Sequence, residues 1–409
     1  METGLNLARK WRSKDFSQIV GQELSVRLLK NSLYKNQFFP VYLFSGQRGC
    51  GKTTTARVFA AALNCENLSN FQKDPQSNKL PCLACYSCLC IKAGNHPDFI
   101  EIDAASNTGV DNVRQIIDSA SYLPILGRKK IYLIDEAHML SKAAFNALLK
   151  ILEEPPVNVV FILATTDPQK IIDTVRSRCF QLFFAPVNFD LITNHLADIC
   201  KQENIKFENP ALLLIARESE GSLRDAINLL ERVRLATETV DEKTVCDILG
   251  HLQESKILEL LDLVLNKDLS ELLIFIDTLD LQRYSLAPLW KKFVELLRAS
   301  IWLKNNIILE SHSHIKNNLE KVLARVQVQK LILMLEISYE YEQSFSKTSA
   351  PQVMLQMMLL KMATGVVQEK ENKAGNSATS NSMGNNEIKN SQGLQPQVNN
   401  FKVNNIINV

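Results

Sequence analysis

Gly46-Gln47-Arg48-Gly49-Cys50-Gly51-Lys52-Thr53 fits the phosphate-loop spacing G-x-x-x-x-G-K-[ST] in full. It follows an apolar run, Val41–Ser45, and opens an Ala-rich helical stretch, Thr53–Asn64, which is the setting the motif requires. The glycines let backbone N–H groups close around phosphate oxygens, and the helix N-terminus adds its positive dipole end. Lys52 neutralises charge on the β- and γ-phosphates, and the Thr53 hydroxyl is placed to ligate Mg²⁺. The run Ile131-Tyr132-Leu133-Ile134-Asp135-Glu136 is a hydrophobic strand ending in two acids. Asp135 would hold the Mg²⁺ through water, and Glu136 would orient and polarise the water that attacks ATP.

Two further polar groups stand where a γ-phosphate can be sensed. Thr165-Thr166 ends the apolar run Val159–Ala164, and Thr166 can hydrogen-bond the attacking water; the alternative is a simple strand cap. Arg224 lies in Gly221-Ser222-Leu223-Arg224-Asp225, where Ser222 and Asp225 form a capping box. A cation in a first helical turn opposes the helix dipole. A nucleotide phosphate would remove that conflict, and so would a surface pair with Glu218 or Glu220.

The second chemical group is made of thiols. Cys82-x-x-Cys85-x-x-Cys88 is tight, and Cys65 lies upstream at the end of the phosphate-loop helix. Four thiolates make a closed tetrahedral zinc site, structural because no position is left for water. An iron–sulfur cluster is the rival, but its run needs a fourth cysteine three residues on, followed by Pro. Here Cys90 comes too early and Ile91 follows it. Cys90 remains a substitute ligand. Cys50, Cys179, Cys200 and Cys246 are isolated and read as inert.

These residues need a frame. Apolar runs at Val41–Ser45, Phe99–Asp103, Lys130–Asp135, Val159–Thr165 and Cys179–Phe184 show little alternation, as parallel strands buried on both faces do. Helical patterns lie between them. In Ser141–Glu154, Phe145, Leu148, Leu149 and Leu152 fall on one face, and Pro155-Pro156 stops the helix. The expectation is a doubly wound α/β domain with a five-stranded parallel sheet over residues 1–185, interrupted by a zinc module at about 64–95. From 186 to 250 the strand signal gives way to short helices. From 251 to 366 long amphipathic helices rich in Leu and Met, without clustered polar chemistry, read as an assembly domain. From 367 to 409 the composition turns to Asn, Ser, Gly and Gln, too poor in large apolar groups to order itself.

The 409 residues carry 46 Lys and Arg against 44 Asp and Glu, a net charge of +2, so any nucleic-acid contact must come from basic groups gathered on one face. No run of about 18 apolar residues suggests a membrane span. The start, Met1-Glu2-Thr3-Gly4, lacks the apolar core of an export signal, and nine cysteines in an unexported chain point to thiols or metal ligands. A cytoplasmic protein without a membrane partner is expected.

The order of these motifs resembles the AAA+ clamp-loader subunits, and among them the gamma/tau family of bacterial DNA polymerase III. The resemblance rests on Leu7-Ala8-Arg9-Lys10-Trp11-Arg12, Val20-Gly21-Gln22-Glu23, the phosphate loop, the cysteine insert and Glu101-Ile102-Asp103-Ala104-Ala105-Ser106. It continues through Asp135-Glu136-Ala137-His138-Met139-Leu140, Phe145-Asn146-Ala147-Leu148-Leu149-Lys150, Leu163-Ala164-Thr165-Thr166-Asp167-Pro168, Ser177-Arg178-Cys179 and Gly221–Asp225. It covers about residues 5–250 strongly and 250–365 weakly. It implies an ATPase that opens a sliding clamp and loads it onto primed DNA at the replisome. The partners it implies are delta, delta prime and further gamma copies within a DNA polymerase holoenzyme. It makes Arg178 an arginine finger for a neighbouring subunit and Leu7–Trp11 a wall of the adenine pocket. It turns Ser106, Asn107 and Lys150 toward DNA, residues 186–250 into a lid, and the later helices into a collar. The alternatives are a non-hydrolysing scaffold subunit, against which intact Lys52 and Thr53 speak, and another AAA+ DNA-remodelling motor, against which the cysteine insert speaks. Three departures stand out. Ser13 replaces the usual Pro, the Cys65–Cys82 insert is long, and the chain ends soon after the collar, so a gamma-like form is expected.

Overall fold

A computed structural model describes residues 6–106, 108–266, 269–307, 316–324, 326–345 and 348–365. The stretch expected to be an unstructured tail, 367–409, lies outside the described residues, as does Asn107.

The first part of the chain builds the expected sheet. Strands β1 (Val41–Gly46), β2 (Phe99–Asp103), β3 (Lys130–Asp135), β4 (Val159–Thr165) and β5 (Phe180–Phe184) run parallel in the order β2-β3-β4-β1-β5. The last strand starts one residue later than its apolar run suggests, with Cys179 still in the preceding turn. β1, β3 and β4 are buried almost throughout, whereas the edge strands β2 and β5 are half-exposed. Burial on both faces, expected for all five, therefore holds for the central three and not for the edge strands.

Helices cover both faces. They are α1 (Leu7–Lys10), α2 (Glu23–Lys35), α3 (Lys52–Leu63), α4 (Leu68–Lys73), α5 (Tyr86–Ala93), α6 (Val110–Ala120), α7 (Lys142–Glu153) and α8 (Asp173–Arg176). α3 packs Ala56, Ala60, Ala61 and Ala62 against the sheet, small side chains that let the helix that opens with the phosphate loop lie close to it. α7 begins at a Ser141 cap, whose Oγ accepts from Ala144 N–H at 3.1 Å. It then buries Ala144, Phe145, Leu148, Ile151 and Leu152 against the other face.

A second core follows, formed by α9 (Phe189–Gln202), α10 (Asn209–Glu218), α11 (Leu223–Ala236) and α12 (Glu242–Leu249). It is not wholly helical: Lys206–Phe207 (β6) and Thr239–Val240 (β7) pair as a two-residue parallel ladder. Runs this short leave no periodicity for a sequence reading to find. Leu7, from the far end of the chain, is buried in this core. A third core joins α13 (Glu254–Asn266), α14 (Leu269–Thr278), α15 (Leu286–Lys304), α16 (Lys316–Leu323), α17 (Val328–Phe345) and α18 (Pro351–Thr364) around Phe293, Leu297, Leu331 and Met334. Among the described residues, no helix is long and apolar enough to cross a membrane.

Candidate functional site

In a parallel sheet the groups that follow the carboxyl ends of adjacent strands converge. Ser45 of β1 pairs with Thr165 of β4, and Asp103 of β2 with Asp135 of β3. The phosphate loop, the two acids and the two threonines therefore meet along one edge. Gly46, Gly49 and Gly51 have φ of 152°, 75° and 104°, the left-handed side of backbone space. A Cβ on Gly46 would lie 2.2 Å from the Phe184 carbonyl oxygen, and one on Gly49 would lie 2.0 Å from Ser222 Oγ. Glycine is required at both positions by space as well as by dihedral angle.

Lys52 is buried and donates from Nζ to the carbonyls of Gly46 at 2.7 Å and Gln47 at 2.8 Å. The ammonium is thus already held over the loop it would share with a phosphate. Thr53 Oγ1 donates to Asp135 Oδ2 at 2.7 Å, which brings the two expected Mg²⁺ groups together. Glu136 has φ 48°, a strained conformation of the kind concentrated at reactive sites, and its own N–H is turned back to Asp135 Oδ1 at 3.0 Å. Thr166 Oγ1 reaches Glu136 Oε2 at 3.4 Å, while Thr165 Oγ1 is 3.1 Å from His138 Nδ1 and accepts from Asp167 N–H at 3.0 Å. The two threonines divide: Thr165 closes the strand, and Thr166 faces the acid.

Lys52, Thr53, Asp135 and Glu136 line a cleft of about 530 Å³ with Asn6, Ala8, Arg9, Trp11, Arg12, Arg48, Leu223 and Arg224, while Thr166 lines a second pocket that shares Arg48 and Glu136 with it. Leu7 is a correction to the expected wall: Ala8, Arg9 and Trp11 line the cleft, but Leu7 points into the core of α9–α12. Its helix is fastened there. Trp11 Nε1 donates to Glu203 at 2.9 Å, Lys10 pairs with Glu203 at 2.6 Å, and Leu7 N–H donates to Glu231 at 3.1 Å.

Arg224 sits at the start of α11, whose Ser222 cap accepts from Asp225 N–H at 3.3 Å. Its N–H donates to the Gly49 carbonyl at 3.4 Å, so phosphate loop and second core touch directly. The carboxylates that would make it a mere surface pair are engaged elsewhere: Glu218 with His251 and Lys292, Glu220 with Lys291. Arg178, by contrast, is outside this cleft. It pairs with Glu153 at 2.5 Å and donates to the Thr174 carbonyl at 2.5 Å.

Two residues without an expected role belong here. Arg12 is held below its ordinary pKa by burial first, then by Arg57, against a favourable Glu101, and by Arg224 and Arg9. Such crowding of cations is the mark of a site for a polyanion. The basic run Arg9-Lys10-Trp11-Arg12 was its signal in the sequence. Gln22 is buried, and its amide donates to the carbonyls of Cys50 at 3.2 Å and Ala185 at 2.7 Å, which pins the phosphate loop from behind. Cys50 itself is inert, its thiol turned to the Gln47 carbonyl and raised in pKa by burial.

At the far end of α3, Cys65, Cys82, Cys85 and Cys88 place their sulfurs within 4.8 Å of one another. Cys82 and Cys88 are 4.0 Å apart, as are Cys65 and Cys85. Tetrahedral Zn–S bonds of ~2.3 Å would set sulfurs about 3.8 Å apart, so the four are compatible with zinc with only small movement. The N–H groups of Cys82 and Cys85 already point at sulfur, at 3.4 and 3.3 Å. A bond from Cys88 holds the Cys65 thiol down at about 5, and the Cys88 thiol is pushed up in return. Cys90, the substitute ligand, is not in the group; it lies two residues past Cys88 on α5.

Of the residues expected near DNA, Ser106 is exposed and donates to Asp103 at 3.0 Å, and Lys150 is exposed on α7.

A family model described as DNA polymerase III, delta subunit, matches residues 21–188, and one for the DNA polymerase III clamp loader subunit, ATPase lid domain, matches 191–232. DNA polymerase III subunit tau/gamma of Haemophilus influenzae is 46% identical over 62% of this chain, which spans only 36% of that relative's length. DNA polymerase III subunit gamma of one Buchnera aphidicola strain is 45% identical over 66% of this chain and 70% of its own length. In another Buchnera aphidicola strain, subunit gamma is 36% identical over 88% of this chain and 99% of its own length. At 45% and 36% identity to relatives of which it spans 70% and 99%, and with a clamp-loader lid match at residues 191–232, the chain belongs to the gamma/tau family of DNA polymerase III subunits.

Proposed function

We propose that this chain is an ATPase subunit of a bacterial sliding-clamp loader, binding and hydrolysing ATP to open the clamp and place it on primed DNA. The observation that carries the reading is the cleft: Lys52, Thr53, Asp135 and Glu136 stand together under a lid that brings Arg224 to the phosphate loop. Lys52 and Arg224 would hold the phosphates, Gly46, Gln47, Arg48, Gly49, Cys50, Gly51 and Thr53 would surround them with N–H groups, and Trp11 would flank the base. Thr53 and Asp135 would hold Mg²⁺, which supplies charge neutralisation between the terminal phosphates. Glu136, with Thr166 beside it, would take the proton of the attacking water. Cys65, Cys82, Cys85 and Cys88 would hold a structural zinc. The working division is 1–185 for the ATPase domain, 186–250 for the lid and 251–366 for the collar. The complete set of catalytic groups favours this over a non-hydrolysing scaffold role. Delta, delta prime and further gamma copies are the expected partners, in the cytoplasm at the nucleoid.

Arg178 gives the sharpest test, because its place outside its own cleft fits action on a neighbour. Arg178→Ala should leave ATP binding by the isolated subunit nearly unchanged and reduce DNA- and clamp-stimulated hydrolysis by the assembled loader on the order of 10³-fold. An equal effect in the isolated subunit, with nothing added on assembly, would mean that Arg178 acts within its own chain.

A further inference from the structure

The two stretches that bear the cysteine sulfurs also hold a loop that carries no cysteine, residues 121–129 between α6 and β3. Asn64 stands next to Cys65 and is buried to 4% exposure. Its side-chain amide closes on the backbone of Lys129, donating to the carbonyl at 2.9 Å and accepting from the N–H at 2.9 Å. Gly127 lies so close to the same amide that a Cβ there would fall 2.5 Å from Asn64 Nδ2.

A second tether starts at Ser87, next to Cys88. Ser87 Oγ is 2.9 Å from His96 Nε2, and His96 Nδ1 accepts the Asp98 N–H at 3.1 Å. A ring nitrogen that accepts carries no proton, so Nε2 holds it and Ser87 is the acceptor. Asp98 is fully buried, and its carboxylate takes three backbone donors: Ile125 at 2.7 Å, Leu126 at 2.7 Å and Gly127 at 2.6 Å. A buried carboxylate is costly unless its lone pairs are filled, so those three amides are fixed as firmly as the acid. Arg128 adds a bond to Ser69 on α4 at 3.1 Å.

What these tethers hold in place would not choose its position unaided. Tyr122, Leu123 and Ile125 are 72%, 74% and 81% exposed, and Leu126 is 41% exposed. Untethered, such a run would fold back onto nearby apolar surface.

We propose that metal binding by Cys65, Cys82, Cys85 and Cys88 sets the conformation of the loop 121–129, transmitted through Asn64 on one side and through Ser87, His96 and Asp98 on the other. Cys65 follows α3 and Cys88 lies in α5, so a shared metal fixes the separation of the two helices from which the tethers leave. Without it α5 is free to shift against α3, and the tethers no longer converge on one backbone. The inference rests on the zinc reading of the four cysteines and not on the ATPase reading, and the zinc content of the purified chain tells a failure of that reading from a failure of the coupling.

Hydrogen exchange of the full chain, read by mass spectrometry, tests it. Stripping zinc with a chelator should speed exchange of the amides from Ile125 to Lys129 by at least about tenfold, with β1 and β4 still protected, and added zinc should reverse this. Ser87→Ala in the zinc-loaded protein should open Ile125, Leu126 and Gly127 while zinc content stays at one per chain. Unchanged loop exchange in the stripped protein overturns the proposal. If stripping deprotects β1 and β4 as well, Ser87→Ala decides: a loop opened with zinc retained upholds the coupling, and a loop as closed as in the parent overturns it.

Discussion

The helix α3 ends in two sites of opposite build. At its N-terminus the cleft is assembled from α1, two strand ends and α11, pieces spread from Asn6 to Asn228, and it is crowded with cations. At its C-terminus the cysteine group is drawn from one continuous stretch, Cys65–Cys88, with Cys65 and Cys88 buried and Cys82 and Cys85 half-buried. The two lie about 18 Å apart along twelve residues of helix. Four thiolates closed around a zinc ion would hold structure and leave no position for a reactant. An open cationic cleft is costly until an anion fills it, and that unmet cost is what binding draws on.

If the two ends are independent in this way, each should break alone. The largest effect belongs to Lys52→Ala, which removes a buried ammonium that no water can replace at a phosphate. ATP hydrolysis should fall by at least about 10²-fold with zinc content unchanged. A folded variant with normal turnover would remove the cleft from consideration. Glu136→Gln keeps the shape and loses the base, so ATP should still bind while single-turnover hydrolysis slows about 10²-fold or more. Wild-type rates would show that another group activates water.

Cys85→Ser works at the other end. Zinc content should drop, and the protein should lose on the order of 2–5 kcal/mol of stability by denaturant titration, if the metal contributes as much as a lost disulfide does in small domains. ATP affinity should change less than about threefold. A loss of nucleotide binding equal to that of Lys52→Ala would show that α3 couples the sites after all.

The smallest effect is a pH dependence of the loop anchored by Asp98. Burial alone would raise that carboxyl, but the N–H groups of Gly127, Ile125 and Leu126 hold it below its ordinary value. A depressed carboxyl stabilises the fold above its unfolded pKa, and the contribution is lost as pH falls through the folded value. Stability should therefore decline on acidification below about pH 4 in the parent, with a shallower slope in Asp98→Asn. Equal slopes would remove Asp98 as the responsible group.

The same contrast explains what was legible in the sequence. The clustered cysteines declare themselves by their spacing, and Cys90 drops out once α5 is seen to carry it beyond the group. Lys52, Thr53, Asp135 and Glu136 were readable because each ends or opens an element whose period is plain. Arg12 shows in the sequence only as part of a basic run and Gln22 not at all, because their importance comes from what arrives beside them from elsewhere in the chain: Arg224 and Arg57 for one, the carbonyls of Cys50 and Ala185 for the other. The division between Thr165 and Thr166 also needed coordinates, since a strand end shows neighbouring hydroxyls without showing which way each turns. The ladder of β6 and β7 escaped because two residues have no measurable alternation.

The attachment of α1 has a mechanical consequence. With Leu7 in the core of α9–α12, and Trp11, Lys10 and the Leu7 amide fastened to Glu203 and Glu231, the first helix in the sequence is a passenger of the lid rather than of the sheet. The cleft is therefore a jaw. One half is the sheet edge with Lys52, Asp135 and Glu136; the other carries Arg9, Trp11 and Arg224 as a single toothed plate. Were a nucleotide held with its base at Trp11 and its phosphates at Lys52 and Arg224, rotation of that plate would move both ends in step, and a change at one end of the ligand would be felt at the other as torque.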